Sequence, residues 1–306
     1  MDKIENVPFK KNVSRVGLSL FVMMAVTQLG QGILAVIVNM LMPTFMEKPY
    51  SMWVISYVPL YLIAVPIYLF MARRIANTDV PRARETFGFG KILRTVFICL
   101  ATMYLFNMVS VLLVMGIGFL KGEPVINPLL NLQESSGIIY NILFGVLLAP
   151  IGEEIMFRYI LYKKLAGYGD VAYIVLSALA FAMFHANLSQ LLYAFALGVI
   201  FAYVMAKTRK IALSIFLHIF INAIGMVIAP LLSTSEVGMM ILGLFVLISI
   251  FIGIIVIIFT LINRRLHFEG AVQEMPNNAF AASITAPGMA LYLLLTLALI
   301  VITILM

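Results

Sequence analysis

Glu153 and Glu154 stand side by side within an apolar run, four residues before Arg158. Two of the chain's three histidines, His185 and His218, lie in other apolar runs, and Asn222 follows His218 by four residues. Ionisable groups in such surroundings cost about 2.5–3.5 kcal/mol each to insert into a bilayer, and they persist mainly where they pair or line a wet cavity. The chemistry open to this set is hydrolysis of a peptide bond. That reaction needs an activated water, a proton donor for the leaving amine and a stabilised tetrahedral oxyanion. A carboxylate in apolar surroundings can serve as general base and then as acid. Histidine can share the proton transfer or bind a metal, and an asparagine amide can donate to an oxyanion. Glu153, His185, His218 and Asn222 together supply these roles.

Helical spacing gives the set a geometry. Glu154 and Arg158 are four apart, so they share a face and can pair. Glu153 is rotated by about 100° from its neighbour, so one carboxylate can be neutralised structurally while the other points elsewhere. His218 and Asn222 also share a face. Pro150 lacks an N–H and clashes with the preceding turn, which predicts a kink or local unwinding near Glu153. Gly152 lets another helix or a substrate backbone approach closely. The span serines Ser19, Ser177 and Ser214 lack a histidine-plus-acid set, and a serine on a helix usually bonds back to its own turn. Cys99 has no flanking base and reads as a small buried hydrophobe. Two histidines and one carboxylate (Glu153, His185 and His218) with a water would make an open zinc site. No H-E-x-x-H motif occurs, however, and a metal-free, glutamate-activated water uses the same residues, so both readings stand. Read singly, each of these polar groups is an interhelical hydrogen bond or ion pair; it is the combination that points to chemistry. Phe181 reads as packing beneath His185. Gln28, Gln31, Asn39, Asn107 and Asn141 read as bonds between helices.

The elements that hold these residues are membrane spans. Of 306 residues, 63% are hydrophobic and 11% charged, with a mean hydropathy of +1.10. A soluble domain carries about a quarter of its residues as charges, so this chain cannot cover a water-facing surface. Apolar runs fall at 16–42, 51–72, 92–120, 138–165, 171–186, 188–206, 211–232, 238–262 and 289–306. All read as helices, because an open strand edge in lipid leaves backbone groups unpaired. The expected fold is an all-α polytopic bundle of about eight or nine spans, with residues 1–306 as a single integral membrane domain. The first run is too long for a cleavable leader and reads as an anchor. The segment 263–288, with Pro276, Pro287 and Gly288, reads as a loop.

The net charge of +7 does not indicate nucleic acid, because the charges sit in short loops between apolar runs. With nine alternating spans, all but three of the 20 basic residues fall on one side. The exceptions are Lys48, Lys121 and the in-span Arg158. The positive-inside rule then predicts a cell-membrane protein with a cytoplasmic N-terminus and an external C-terminus. At about 1.5 Å per residue, Glu153 lies about 15–18 Å from the cytoplasmic end of its span, His185 about 21 Å and His218 about 10–12 Å. Those depths are compatible with one shared site in the cytoplasmic half of the bilayer.

At these residues the chain resembles the CPBP family, which includes CAAX prenyl proteases and bacterial Abi or bacteriocin-immunity proteins. The matching motifs are E-E-x-x-x-R at Glu153 to Arg158, F-x-x-x-H at Phe181 to His185 and H-x-x-x-N at His218 to Asn222, each on its own span and in the family's order. The resemblance covers about residues 136–230 as a catalytic core. It implies an intramembrane endopeptidase acting on a membrane-bound peptide or protein. Within it, Glu153 and His185 would activate water, His218 and Asn222 would stabilise the oxyanion, and Glu154 and Arg158 would support them. Family members have been described both as metalloproteases and as glutamate proteases. Two other classes use similar residues. A proton-coupled transporter needs intramembrane Glu, His and Arg, although here they cluster in three spans and form no path across the bilayer. An inert immunity or binding protein can share the same fold.

Overall fold

The computed structural model describes residues 7–79, 81 and 83–305; of the basic residues that bear on orientation, Lys3 and Arg82 lie outside them. The described residues contain helices and no strand. Eight helices are long and apolar enough to cross a membrane: α1 (Phe9–Leu41), α2 (Ser51–Arg73), α3 (Phe89–Lys121), α5 (Ile138–Tyr168), α7 (Leu188–Thr208), α8 (Ile211–Leu232), α9 (Glu236–Ile262) and α11 (Pro287–Leu305). The fifth apolar run, 171–186, is a shorter helix, α6 (Asp170–Phe184). Short helices α4 (Pro128–Ser135) and α10 (Ala279–Ile284) complete the chain. This is a multi-pass membrane protein built as an all-α bundle.

Packing follows a single circuit. Helix α1 runs along α11 and α2, α6 packs on α7, α7 on α3, and α3 on α9. Helix α8 lies against α5 and α7. Close backbone approach replaces hydrophobic drive between helices in lipid. The tightest crossing is that of α1 and α11. A Cβ on Gly17 would fall 2.2 Å from the Met289 backbone nitrogen, and one on Gly288 would fall 2.0 Å from the Ser14 carbonyl oxygen. The Ser14 hydroxyl accepts from the Gly288 N–H at 3.0 Å.

The basic segments that the hydropathy pattern places on one side do meet at one end of the bundle. The buried Lys164 Nζ donates to the Ile75 carbonyl and to Asn77 Oδ1, joining the ends of α5 and α2. Glu85 N–H donates to the Lys207 carbonyl, and Lys207 Nζ pairs with the buried Asp170 at 2.7 Å. At the opposite end, Lys121 Nζ reaches the Ile304 and Leu305 carbonyls. The segment 263–288 is more than the expected loop. Val272 and Gln273 donate their N–H groups to the Gly167 carbonyl, Asp170 N–H donates to the Glu269 carbonyl, and the chain then forms α10. It is pinned to the α5–α6 turn because that turn's backbone groups need partners.

Candidate functional site

Helix α5 supplies the two carboxylates from a distorted stretch. Pro150 lies at the second position of a five-residue α-helical piece, Ala149–Glu153, with wider i→i+5 turns at Asn141–Leu148 before it and Glu154–Ile160 after it. Ala149 N–H reaches back to the Phe144 carbonyl. A proline in mid-helix removes one donor and crowds the turn before it, and widening the helix relieves both. The expected local unwinding is therefore present, as widened turns. Gly152 is the point of closest approach. A Cβ there would fall 2.5 Å from Tyr61 Cε1 and Oη, so α2 rather than empty space occupies the position.

His218 on α8 stands between the two carboxylates. Its Nδ1 lies 3.0 Å from Glu154 Oε1, and its Nε2 lies 3.7 Å from Glu153 Oε2. The two opposite edges of one imidazole thus meet neighbours rotated by about 100° on α5. A carboxylate can only accept, so the Glu154 contact places a proton on Nδ1. His218 Nε2 is then the nitrogen that faces Glu153. Glu154 has a second partner in Arg158, whose Nε lies 3.3 Å from Oε2 with both side chains fully covered. The Arg158 guanidinium lies over the rings of Phe181 at 4.2 Å and Phe201 at 5.6 Å, which stabilises a cation away from water. Glu153 is the less covered carboxylate, with a side chain 14% exposed.

His185 caps α6 and joins the same cluster. Its Nδ1 lies 2.9 Å from the Phe181 carbonyl, so that nitrogen is the donor and Nε2 the acceptor of the neutral ring. The Phe181 ring meets His185 and His218 edge-to-face, with centroids at 4.9 and 5.6 Å. His185 is close enough to Glu153, His218 and Arg158 for their charges to act on it. Phe181 is therefore packed against both histidines and Arg158, a larger role than packing under one histidine. Asn222 is on the same face of α8 as His218, and its Nδ2 donates to the Gly145 carbonyl of α5 at 2.9 Å.

The sequence-based set is thus brought together from α5, α6 and α8. Sequence reasoning missed the Glu154–His218 bond, the Phe201 ring against His218 at 5.1 Å, and the tyrosines whose electrostatic neighbour is Glu153, namely Tyr57, Tyr61 and Tyr193. Tyr57 and Tyr61 donate to the Phe144 and Leu148 carbonyls along the widened part of α5. Their i,i+4 spacing around Pro59 was a readable signal that one helix face carries both hydroxyls. Of the residues expected to join helices, Asn141 accepts from Trp53 Nε1 and Gln31 donates to the Ser56 carbonyl, whereas Gln28 bonds to Met24 Sδ within its own helix. Ser19, Ser177 and Ser214 each donate to a backbone carbonyl, as expected for non-nucleophiles.

Among the described residues, no group of three His, Cys, Asp or Glu side chains is set to hold a metal ion. The Nδ1 atoms of both histidines are held by protein oxygens, an arrangement that a histidine binding a metal through Nε2 also adopts.

Comparison with known proteins agrees with the motif placement. Residues 135–224 match the family model "Type II CAAX prenyl endopeptidase Rce1-like". Over 82 residues the chain is 34% identical to "Putative membrane peptidase YdiL" of Bacillus subtilis (strain 168), a match spanning 26% of this chain and 34% of that protein. The shared part is thus about a third of the curated relative's length. No solved structure matches the chain. By motif order, helix placement and family match alike, residues 135–224 are similar to the Rce1-like CAAX endopeptidases.

Proposed function

We propose that this chain is an intramembrane endopeptidase that cleaves a membrane-associated peptide or protein, with residues 136–230 as its catalytic core within a single membrane domain. The observation that carries the reading is the placement of His218 between Glu153 and Glu154, with Glu154 neutralised by Arg158. Arg158 and Glu154 offset each other, which leaves Glu153 as the uncompensated carboxylate facing the less covered side. A water held between Glu153 and His185 Nε2 gives up a proton to the Glu153 carboxylate as its oxygen attacks the peptide carbonyl. The carbonyl π electrons move to oxygen, and a protonated His218 Nε2 and the second N–H of the Asn222 amide stabilise the resulting oxyanion. Glu153 then passes the proton to the leaving nitrogen as the C–N bond breaks. The Glu154 carboxylate accepts from His218 Nδ1 and fixes the ring.

The test is a comparison of new peptide N-termini in membranes carrying the native chain or His185→Ala. Termini that appear with the native chain and vanish with the variant are expected, and identical sets would end the proposal. Asn222 separates two roles. As an oxyanion donor, its replacement by alanine lowers kcat by about 100–1000-fold with little change in KM. A loss of only a few-fold would leave it as a link between α8 and α5 alone.

The clustering of basic residues at one end of the bundle supports placing that end, with the N-terminus, in the cytoplasm. In a Cys99→Ala background, a membrane-impermeant maleimide is expected to label Glu123→Cys on intact cells and to spare Lys10→Cys. The reverse pattern would invert the topology.

A further inference from the structure

Away from the carboxylates, α3, α7 and α9 leave a cleft of about 250 Å³ at the end of the bundle where α3 begins and α9 finishes. Its walls are apolar, formed by Ile98 of α3, Val199 and Ile200 of α7 and Ile257 of α9. The wall hydroxyls of Thr95 and Thr260 donate to the Lys91 and Val256 carbonyls in their own helices, so they offer no free donor to a polar ligand. The rim is cationic, with Lys91 and Arg94 in the first turns of α3 and Arg265 just beyond α9. Lys91 is paired with Glu85 and lies over the Phe87 ring. Arg94 Nε donates to the Gly90 carbonyl at 3.1 Å, and the Arg265 guanidinium lies 5.0 Å from the Phe259 ring. Both arginines are exposed, and neither meets a carboxylate among the described residues.

The two halves of the cleft call for one amphiphilic occupant. Ile98 lies about 6 Å deeper into the bundle than Arg94, so charge sits at the interface and hydrocarbon-like walls begin one turn below it. A soluble anion would answer the cations and leave the apolar walls wet. A zwitterionic lipid would fill the walls, but its headgroup cation would offset its phosphate and leave the positive charge of the rim in excess. We infer that this cleft is a binding site for an anionic phospholipid of the bilayer, with its phosphate on Arg94 and Arg265 and an acyl chain along Ile98, Ile200 and Ile257. Basic pockets between helices at the membrane surface hold acidic headgroups on this principle. The site shares no residue with the carboxylate–histidine cluster, so it stands or falls independently of the hydrolase reading.

Native mass spectrometry of the purified full chain in maltoside micelles, given equal amounts of dioleoylphosphatidylglycerol and dioleoylphosphatidylcholine, tests it. The native protein is expected to retain phosphatidylglycerol preferentially. Arg94→Gln/Arg265→Gln weakens that retention by about 10–30-fold, as expected for two interfacial cations. Lys10→Gln/Lys11→Gln removes the same charge from exposed positions on α1 and keeps the preference. Ile257→Trp keeps every cation but fills the slot, and it too loses the lipid. The proposal is overturned if the native chain shows no preference, if the arginine variant retains the lipid, or if the lysine control loses as much. Retention by Ile257→Trp, or displacement of the lipid by inorganic phosphate alone, would overturn it as well, by showing surface attraction or a soluble-anion site.

Discussion

Glu153→Gln is expected to lower turnover of a membrane peptide by about 100–10,000-fold, the range over which a positioned acid–base group contributes, and to leave the protein folded. The two halves of that expectation have separate causes. Turnover falls because glutamine keeps the shape of the side chain but cannot take a proton from water. The fold survives because Glu153 is partly uncovered and its one charged contact, His218 Nε2 at 3.7 Å, is long. Its loss leaves the buried His218 with its Glu154 contact intact. If Glu153 and His185 act on one water, Glu153→Gln/His185→Ala is little worse than the stronger single change, since residues acting as a unit are non-additive. Kinetics in proteoliposomes, alongside thermal unfolding of each variant, measure both halves. Retained turnover in Glu153→Gln with an intact fold would remove the water-activation scheme. Multiplicative losses in the double variant would instead separate the two residues into different steps.

Much of this arrangement can be read from the chain because a bilayer allows few solutions. Each apolar run has to be a helix, and the nine runs do correspond to helices α1, α2, α3, α5, α6, α7, α8, α9 and α11. Where the boundaries differ, the reason is local. Helix α1 begins at Phe9 rather than at residue 16 because Lys10, Lys11 and Arg15 lower hydropathy without stopping a helix. Helix α4 was passed over although Asn127-Pro128 is a helix-start signal, with Asn127 Oδ1 accepting from Leu129 N–H. The i,i+4 relation of Glu154 and Arg158 is a property of one helix and was legible. The bond from Glu154 to His218 joins residues 64 apart in sequence. It depends on how α8 leans on a helix widened around Pro150, and no local pattern encodes that. The docking of 263–288 on the α5–α6 turn escaped for the same reason, since backbone hydrogen bonds leave no mark on composition. Tyr57 and Tyr61 are intermediate cases: their shared face is local, but the carboxylate they face is not.

Arg158→Met is expected to destabilise the protein by about 3–5 kcal/mol, the usual result of removing one partner from a buried pair. Glu154 has no exposed surface, and without the guanidinium its charge would be left with the His218 Nδ1 contact alone. Lysine is a poor substitute, because a compact ammonium cannot lie flat over Phe181 and Phe201 as the planar guanidinium does. Arg158→Lys should fall between the native chain and Arg158→Met in unfolding midpoint. Glu154→Met/Arg158→Met removes both charges and is expected to recover most of the lost stability, since replacing a whole buried pair by apolar groups is often neutral. It should not recover turnover, because His218 then loses the acceptor that fixes its Nδ1 proton and its ring orientation. A double variant that is stable but inactive would place Glu154 and Arg158 as positioning residues for His218. If Arg158→Met unfolded at the native midpoint, or if the double variant were as unstable as the single one, the pair would not be what holds α5 and α8 in register.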